Sequence, residues 1–253
     1  MLKIEGLAKK LGRGRELRSI QLAVDIGEVV LLTGSDQSGA ETLLRLAAGI
    51  LEPDIGEVRV FGMAFTAHRR GAMARIGYVC DIPANYGSVK SDEYLEFVGG
   101  LHGLKANDLR FAITRIARLV EMNEGISLPI RDLRTSERRR LSLAAALIAQ
   151  PQIVIWDEPL RGLDALQMAR ISALITSLSE HHGFLIGARD PEPLAEIVNK
   201  IVILHAGRSV FSGHISEFLD KDFSFPGSGP MQKPTSRPVS GQLVQLLRSF
   251  EPA

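Results

Sequence analysis

The chain has 253 residues, enough for one large α/β domain or a core domain with a smaller insert. Hydrophobic residues at 45% and charged residues at 23% are values of a chain that packs a core, which excludes disorder throughout. The 30 Lys and Arg against 29 Asp and Glu leave a formal net charge of +1, far below the basic excess of a general nucleic-acid binder.

The segment Met1–Leu7 lacks the basic and then apolar order of a signal region. Glu28-Val-Val-Leu-Leu-Thr33 predicts a buried strand, Gly34–Gly39 a Gly- and Ser-containing loop, and Glu41–Ala48 a helix. Val58–Phe61 and Ile76–Val79 are further strand candidates. Cys80 is the lone cysteine, so no internal disulfide or Cys-based zinc site can form, which suits a reducing compartment. Asp92–Leu101 predicts a helix with Tyr94, Leu95, Phe97, Val98 and Leu101 along one side. Asp108–Met122 repeats the pattern with Leu109, Ile113, Ile116, Leu119 and Val120. Arg138–Gln150 predicts a third helix, stopped by Pro151. Ile153–Trp156 reads as a buried parallel strand and Leu166–Leu178 as an amphipathic helix. Gly183–Gly187 and Lys200–His205 read as strands with a helix between them. Phe225–Gly241 is rich in Pro and Gly and reads as a linker, and Gln242–Phe250 as a short terminal helix with Leu243, Leu246, Leu247 and Phe250 on one stripe. Apolar runs such as Leu141–Ala149 fall far short of the ~20 residues that span a bilayer. A soluble, cytoplasmic chain is expected.

This alternation predicts an α/β fold: a mostly parallel sheet covered by helices. The expected divisions are a β/α core at 1–87 and 151–220, a helical subdomain at 88–150, and a linker with a short helix at 221–253.

Three segments carry chemistry. Gly34-Ser35-Asp36-Gln37-Ser38-Gly39-Ala40-Glu41-Thr42 lies between a strand and a helix, where a phosphate-binding loop has Gly, four residues, Gly, Lys, and Ser or Thr. Both outer glycines fit, but Ala40 stands at the Lys position and Glu41 at the Mg²⁺-binding hydroxyl position. Ile153-Val-Ile-Trp-Asp157-Glu158 ends an apolar strand in two carboxylates, suited to Mg²⁺ handling and water activation, or simply to strand-end hydrogen bonding. Leu133-Arg134-Thr135-Ser136-Glu137 precedes the predicted helix 138–150.

In order and spacing, these segments resemble the nucleotide-binding subunits of ATP-binding cassette (ABC) transporters over roughly residues 1–220, in particular the cytoplasmic subunit of export-type systems. The resemblance implies a P-loop NTPase-like cassette. Asp157, Glu158, Asp164, Gly34, Gly39 and Thr42 match the family's pattern. The family's Leu-Ser-Gly-Gly-Gln signature falls on Leu133–Glu137, where Arg134 and Thr135 obstruct backbone approach to a phosphate and Glu137 adds negative charge. The loop glutamine falls on Asp81 and the switch histidine on Arg189. The adenine-stacking aromatic would lie near Leu11, yet no aromatic precedes Phe61. By this resemblance Glu158 is a vestigial catalytic carboxylate. Glu41, Asp81 and Asp157 mark a vestigial Mg²⁺ position, with no metal expected.

Unit charges ~4 Å apart interact by roughly 4 kcal/mol at an effective dielectric of about 20. Losing the Lys and gaining Glu41 therefore costs a triphosphate about 5 kcal/mol, more than three decades of affinity. No tightly bound cofactor is expected. An Arg189–Glu158 pair is expected to neutralise the pocket internally.

In the family each ATP site combines one subunit's phosphate loop with the other's signature. With both altered here, neither composite site of a dimer is complete. The resemblance then implies a non-hydrolysing subunit that scaffolds or regulates a membrane complex, paired with itself or with another cassette. It implies an integral-membrane permease partner, docked near Asp81–Tyr86 and the helix bearing Tyr94, Leu95, Phe97 and Leu101, and a peripheral place on the cytoplasmic face. The alternative is an active subunit powering export with ATP and Mg²⁺, which Glu158 favours. A soluble ABC protein of ribosomes or DNA repair is a third class, but its tandem cassettes or coiled coils are lacking, and no nucleic-acid partner is expected.

Overall fold

The computed structural model describes residues 1–220 apart from 13, 36, 83 and 123, and residues 239–248. In chain order, β1 (Leu2–Gly12) and β2 (Arg15–Val24) form a hairpin, and β3 (Val29–Gly34) leads through the Gly-rich loop into α1 (Ala40–Ala47). β4 (Ile55–Val60), β5 (Met63–Ala64), α2 (Phe65–Met73) and β6 (Ile76–Val79) follow. Helices α3 (Ser91–Leu101), α4 (Ala106–Leu119) and α5 (Thr135–Leu147) precede β7 (Ile153–Asp157). Then come α6 (Ala165–Ser179), β8 (Gly183–Gly187), β9 (Lys200–His205), β10 (Arg208–His214) and α7 (Ile215–Asp220), with α8 (Val239–Arg248) after the undescribed stretch.

The central sheet has six strands in the order β10-β9-β3-β8-β7-β6, parallel except for β10. Its parallel strands are buried on both faces, which is why they read as unbroken apolar runs. Alternate side chains divide between two cores. Val30, Leu32, Ile153, Ile155 and Leu185 pack toward α1 and the β1–β2 hairpin. Val29, Leu31, Val154, Trp156, Phe184 and Ile186 pack with residues of α5 and α6. The period of two along a strand produces this division.

A second sheet, four-stranded in the order β2-β1-β4-β5, is antiparallel. This second sheet departs from the single, mostly parallel sheet expected from the sequence, in which no strand precedes Glu28. The alternation was present, since Leu2 and Ile4 on β1 and Leu17, Ile20, Leu22 and Val24 on β2 are all buried. Register shifts between Ile4 and Leu7 and between Leu7 and Lys9 break its period on β1.

Other boundaries differ for local reasons. The expected helix between β8 and β9 is only a 3-10 turn at Glu192–Leu194, because Pro191 and Pro193 remove backbone donors and Asp190 accepts the Glu192 N–H at 3.1 Å. α5 begins at Thr135 rather than Arg138, because Glu137 accepts the Arg134 N–H at 2.7 Å and caps the helix there. On α3, Leu95 is fully buried but Phe97 and Leu101 are 49% and 73% exposed, so the predicted side is divided between core and surface. Leu119 on α4 likewise faces out, at 40% exposure. α8 starts at Val239, inside the expected linker. Residues 225–238 and Phe250 lie outside the described residues. Leu243 and Leu246 of α8 join the core that holds Phe218, and Gln242 Nε2 donates to the Leu219 carbonyl at 2.9 Å. Among the described residues no helix is long and apolar enough to cross a membrane.

Candidate functional site

The loop after β3 sits where the two sheets meet. Gly34 ends β3 so close to β9 that a Cβ would stand 2.2 Å from the Leu204 carbonyl oxygen. Ser35 N–H donates to that same carbonyl at 3.3 Å, and Ser35 Oγ lies 3.1 Å from His205 Nδ1. Ser38 N–H closes the turn on the Ser35 carbonyl at 3.0 Å. Gly39 takes φ 93°, a left-handed value that glycine adopts without strain, at the N-cap of α1. Leu17 and Leu11 pack over it from the hairpin.

A cleft of about 600 Å³ opens beside this loop. Of the residues singled out from sequence, Gly34, Ser35, Gln37, Ser38, Gly39, Ala40, Glu41, Thr42, Asp157, Glu158 and Arg189 line it together. Asp36 lies outside the described residues. Ala40 offers no cation. Glu41 accepts from Arg45, one helical turn on, at 2.6 Å. It also occupies the first turn of α1, where a carboxylate interacts favourably with the helix dipole.

Glu158 follows β7 with φ 50°, an uncommon value for a residue with a side chain. Its N–H donates to the Gly187 carbonyl at 2.8 Å, and its Oε1 accepts the Arg189 N–H at 3.1 Å. The Arg189 Nε lies 3.8 Å from that oxygen, but the guanidinium is 83% exposed. Solvent screens such a pair, so the backbone N–H is the firmer hold on Glu158.

Burial pushes the Asp157 carboxyl above its usual range, and the Glu158 and Glu41 carboxylates add to the effect, while Arg45 and Arg161 oppose it. The folded chain therefore holds this proton more tightly than the unfolded chain does. Ionised Asp157 costs stability, and that cost appears as pH rises through the raised value. Asp157→Asn is expected to melt at a higher temperature than the parent near pH 7. The advantage should shrink as pH falls toward the ordinary value of 3.8. Thermal unfolding of both proteins across this range checks it, and an advantage independent of pH would refute it.

Other predicted residues lie away from the cleft lining. Asp81 accepts from Arg139 at 2.6 Å and ties the segment after β6 to α5. Leu133 is buried in the core and Arg134 is the N-cap of α5. Thr135, Ser136 and Glu137 form the first turn of α5, and Glu137 is engaged in the capping bond. Asp164 caps α6, its Oδ1 accepting the Gln167 N–H at 2.8 Å.

The expectation that the pocket has lost its cation holds only for position 40. Lys9, Lys10 and Arg15 reach the lining from the hairpin, and Arg161 from the turn after β7. The motif reading missed the three hairpin residues because they belong to no phosphate-loop pattern. Leu11 lines the cleft where an aromatic was sought, with Leu51 also in the wall.

A second cleft of about 720 Å³ lies between the α2–β6 region and the helices α3 and α5, lined among others by Arg70, Met73, Tyr78, Tyr94, Val98 and Leu101. Beside it, Tyr86 stacks edge-on to Tyr94 at 5.4 Å and lies 6.0 Å from Phe97. Leu95 belongs to the core instead, and Pro83 lies outside the described residues.

The ABC transporter family profile matches residues 17–161. The chain belongs to the ABC transporter family. An ABC transporter ATP-binding protein of Bacillus subtilis (strain 168), YxlF, is 27% identical over 217 residues, 86% of this chain and 72% of that protein. A solved ATP-binding subunit of an ABC transporter superposes with TM-score 0.79 at 20% identity, covering 97% of this chain and 99% of the other. A bacterial ABC transporter cassette solved as a dimer superposes with TM-score 0.73 at 19% identity, covering 85% and 99%. These likenesses make the fold that of an ABC cassette. The strand–loop–helix at Val29–Ala47 and the strand-end carboxylates Asp157 and Glu158 are its landmarks in this chain.

Proposed function

We propose that this ABC cassette is a non-hydrolysing subunit that scaffolds or regulates a membrane transporter complex. The observation that carries the reading is the start of α1, where Ala40 supplies no ammonium and the Glu41 carboxylate, held by Arg45 at 2.6 Å, stands in the phosphate loop. Mg²⁺ with a triphosphate does not fit that arrangement. The hydroxyl ligand is replaced by an anion already paired with Arg45, and Asp81 is engaged with Arg139. Among the described residues, no group of three or more His, Cys, Asp and Glu side chains is placed to hold a metal ion.

The family's mode of action is to pair cassettes and to seat a cytoplasmic segment of a permease. The cleft beside Tyr94, Val98 and Leu101 has the mixture of aromatic and aliphatic side chains that interface cores use. In this reading the permease docks there and the cassette dimerises with itself or with a second cassette, on the cytoplasmic face of the membrane. The cassette transmits or blocks motion without consuming nucleotide.

A second reading, an active ATPase with atypical motifs, draws on Glu158, which still lines the cleft at the end of β7. Purified protein titrated with a labelled ATP analogue, with and without Mg²⁺, separates the two. The proposed reading expects no Mg²⁺-dependent binding below millimolar concentration and no phosphate release above buffer. Submillimolar, Mg²⁺-dependent binding with turnover would establish the second. For docking, Val98→Asp with Leu101→Glu is expected to abolish co-purification with a polytopic membrane partner while circular dichroism stays unchanged. Retained co-purification would place the permease elsewhere.

A further inference from the structure

Helix α4 turns a mixed cationic and aromatic face away from the fold. Its buried stripe is Ala112, Ile113, Ile116 and Ala117. At 3.6 residues per turn, Asn107, Phe111, Thr114, Arg115 and Arg118 point the other way, and all five are exposed. Phe111 stands at the middle of this face with 73% of its surface in solvent. Lys105 at the N-cap and Arg110 on the flank are exposed as well. Among the described residues, none of Lys105, Arg110, Arg115 and Arg118 has an ion-pair partner. Asp108 is the one carboxylate on the helix, and Glu121 just beyond it is held by Arg140 at 2.6 Å. A single exposed ring is ordinary. A ring set among four cations, with one carboxylate to answer them, is a surface complementary to something both anionic and apolar.

We propose that this face of α4 lies on an anionic bilayer surface, with Phe111 entering the boundary between headgroups and acyl chains and Lys105, Arg110, Arg115 and Arg118 pairing lipid phosphates around it. A bilayer supplies both halves of the match, whereas a soluble acidic chain answers the cations alone. Arginine suits the place: its guanidinium binds phosphate bidentately while its aliphatic stem lies along the apolar boundary. The 14 residues of α4 run about 21 Å, so the helix rests flat on the surface and does not cross it. The turn at 102–105 leads from Leu101, in the wall of the second cleft, into this helix. Lipid at α4 and a protein seated in that cleft therefore share one margin of the helical subdomain. The lipid contact itself needs no permease, and it goes beyond the proposed scaffolding role by giving the cassette a membrane contact of its own.

Co-sedimentation of the full chain with vesicles tests the proposal, using phosphatidylcholine alone and phosphatidylcholine with about one-third phosphatidylserine, and no membrane protein. Each basic residue at an anionic surface is worth about fivefold, so the anionic vesicles are expected to bind about a hundredfold more tightly than the neutral ones. Arg115→Glu with Arg118→Glu is expected to remove that preference, and Phe111→Ala to weaken binding about fivefold. Circular dichroism checks that the variants are folded. Arg208→Glu, exposed on the edge strand β10, is expected to leave binding unchanged. The chain's one tryptophan, Trp156, is buried, so Phe111→Trp adds a separable emission that brominated lipid in the anionic vesicles should quench. Equal binding to both vesicles, binding to neither, charge reversals without effect, or an unquenched Phe111→Trp would overturn the proposal. Polyglutamate bound as tightly as the anionic vesicles and unaffected by Phe111→Ala would assign the face to an acidic protein and overturn it too. So would a lipid-free dimer that Arg115→Glu with Arg118→Glu dissociates, which would assign the face to a second copy. Each of these results leaves the non-hydrolysing reading and the docking cleft standing.

Discussion

Replacing Ala40 by Lys and Glu41 by Ser together is expected to tighten Mg²⁺-dependent ATP binding by roughly three decades. The arithmetic follows from the charges. The pair of changes adds a cation and removes an anion within a few ångströms of the same phosphates, about 5 kcal/mol at an effective dielectric near 20. The double change should exceed the two single ones combined. An ammonium at position 40 alone would be drawn to the Glu41 carboxylate beside it, while serine at 41 alone still leaves no ammonium within the loop itself. Glu41→Ser also releases Arg45, now held at 2.6 Å, as a further cation near the loop. Positions in contact couple in this way, and a double-mutant cycle measures it. The readout is a titration with a fluorescent ATP analogue, with and without Mg²⁺, for the parent, both single variants and the double variant. Additive small gains, or none in a folded double variant, would mean that the substitutions in the phosphate loop are not what separates this cassette from a nucleotide-binding one.

Trp156→Ala is expected to cost about 3–5 kcal/mol of folding stability. The indole is 1% exposed on β7, the strand beside the edge strand β6, its backbone partnered with Val79 on β6 and Ile186 on β8. It belongs to the core that joins the sheet to α5 and α6, so truncation leaves a cavity between rigid elements that cannot collapse around it. Urea unfolding should show a lower midpoint at an unchanged slope. Phe111→Ala on α4 removes a comparable ring that is 73% exposed and should stay within about 0.5 kcal/mol of the parent. Equal losses at the two positions would contradict the assignment of the core. Because Asp157 follows Trp156 directly, the same variant should also loosen the cleft wall and blunt the pH response expected for Asp157→Asn.

Much of the architecture was legible in local pattern. Val29–Gly34, Ile153–Asp157 and Gly183–Gly187 each announce a strand buried on both faces by an unbroken apolar run. The loop from Gly34 to Gly39 announces its phosphate-loop shape by glycines that the backbone geometry requires. The four-stranded antiparallel sheet was not read, because bulges interrupt the alternation of β1 and the charged residues between its apolar positions resemble a surface segment. The break between β8 and β9 is written in Pro191 and Pro193, and the early start of α5 in Glu137, local signals that run against the helical pattern around them.

Residue chemistry and order along the chain alone determined the family, the strand–loop–helix frame, and the absence of a lysine at position 40. These are local facts that survive without knowledge of packing. Only the tertiary structure decided that Asp81 serves Arg139, that Asp164 and Glu137 cap helices, and that Lys10 and Arg15 face the same cleft as Arg161. The reason is physical: a solvated charge on a hairpin carries no period or spacing that points to a partner far along the chain. Its neighbours are set by how the two sheets pack, and that packing is driven by apolar area rather than by the charges it brings together.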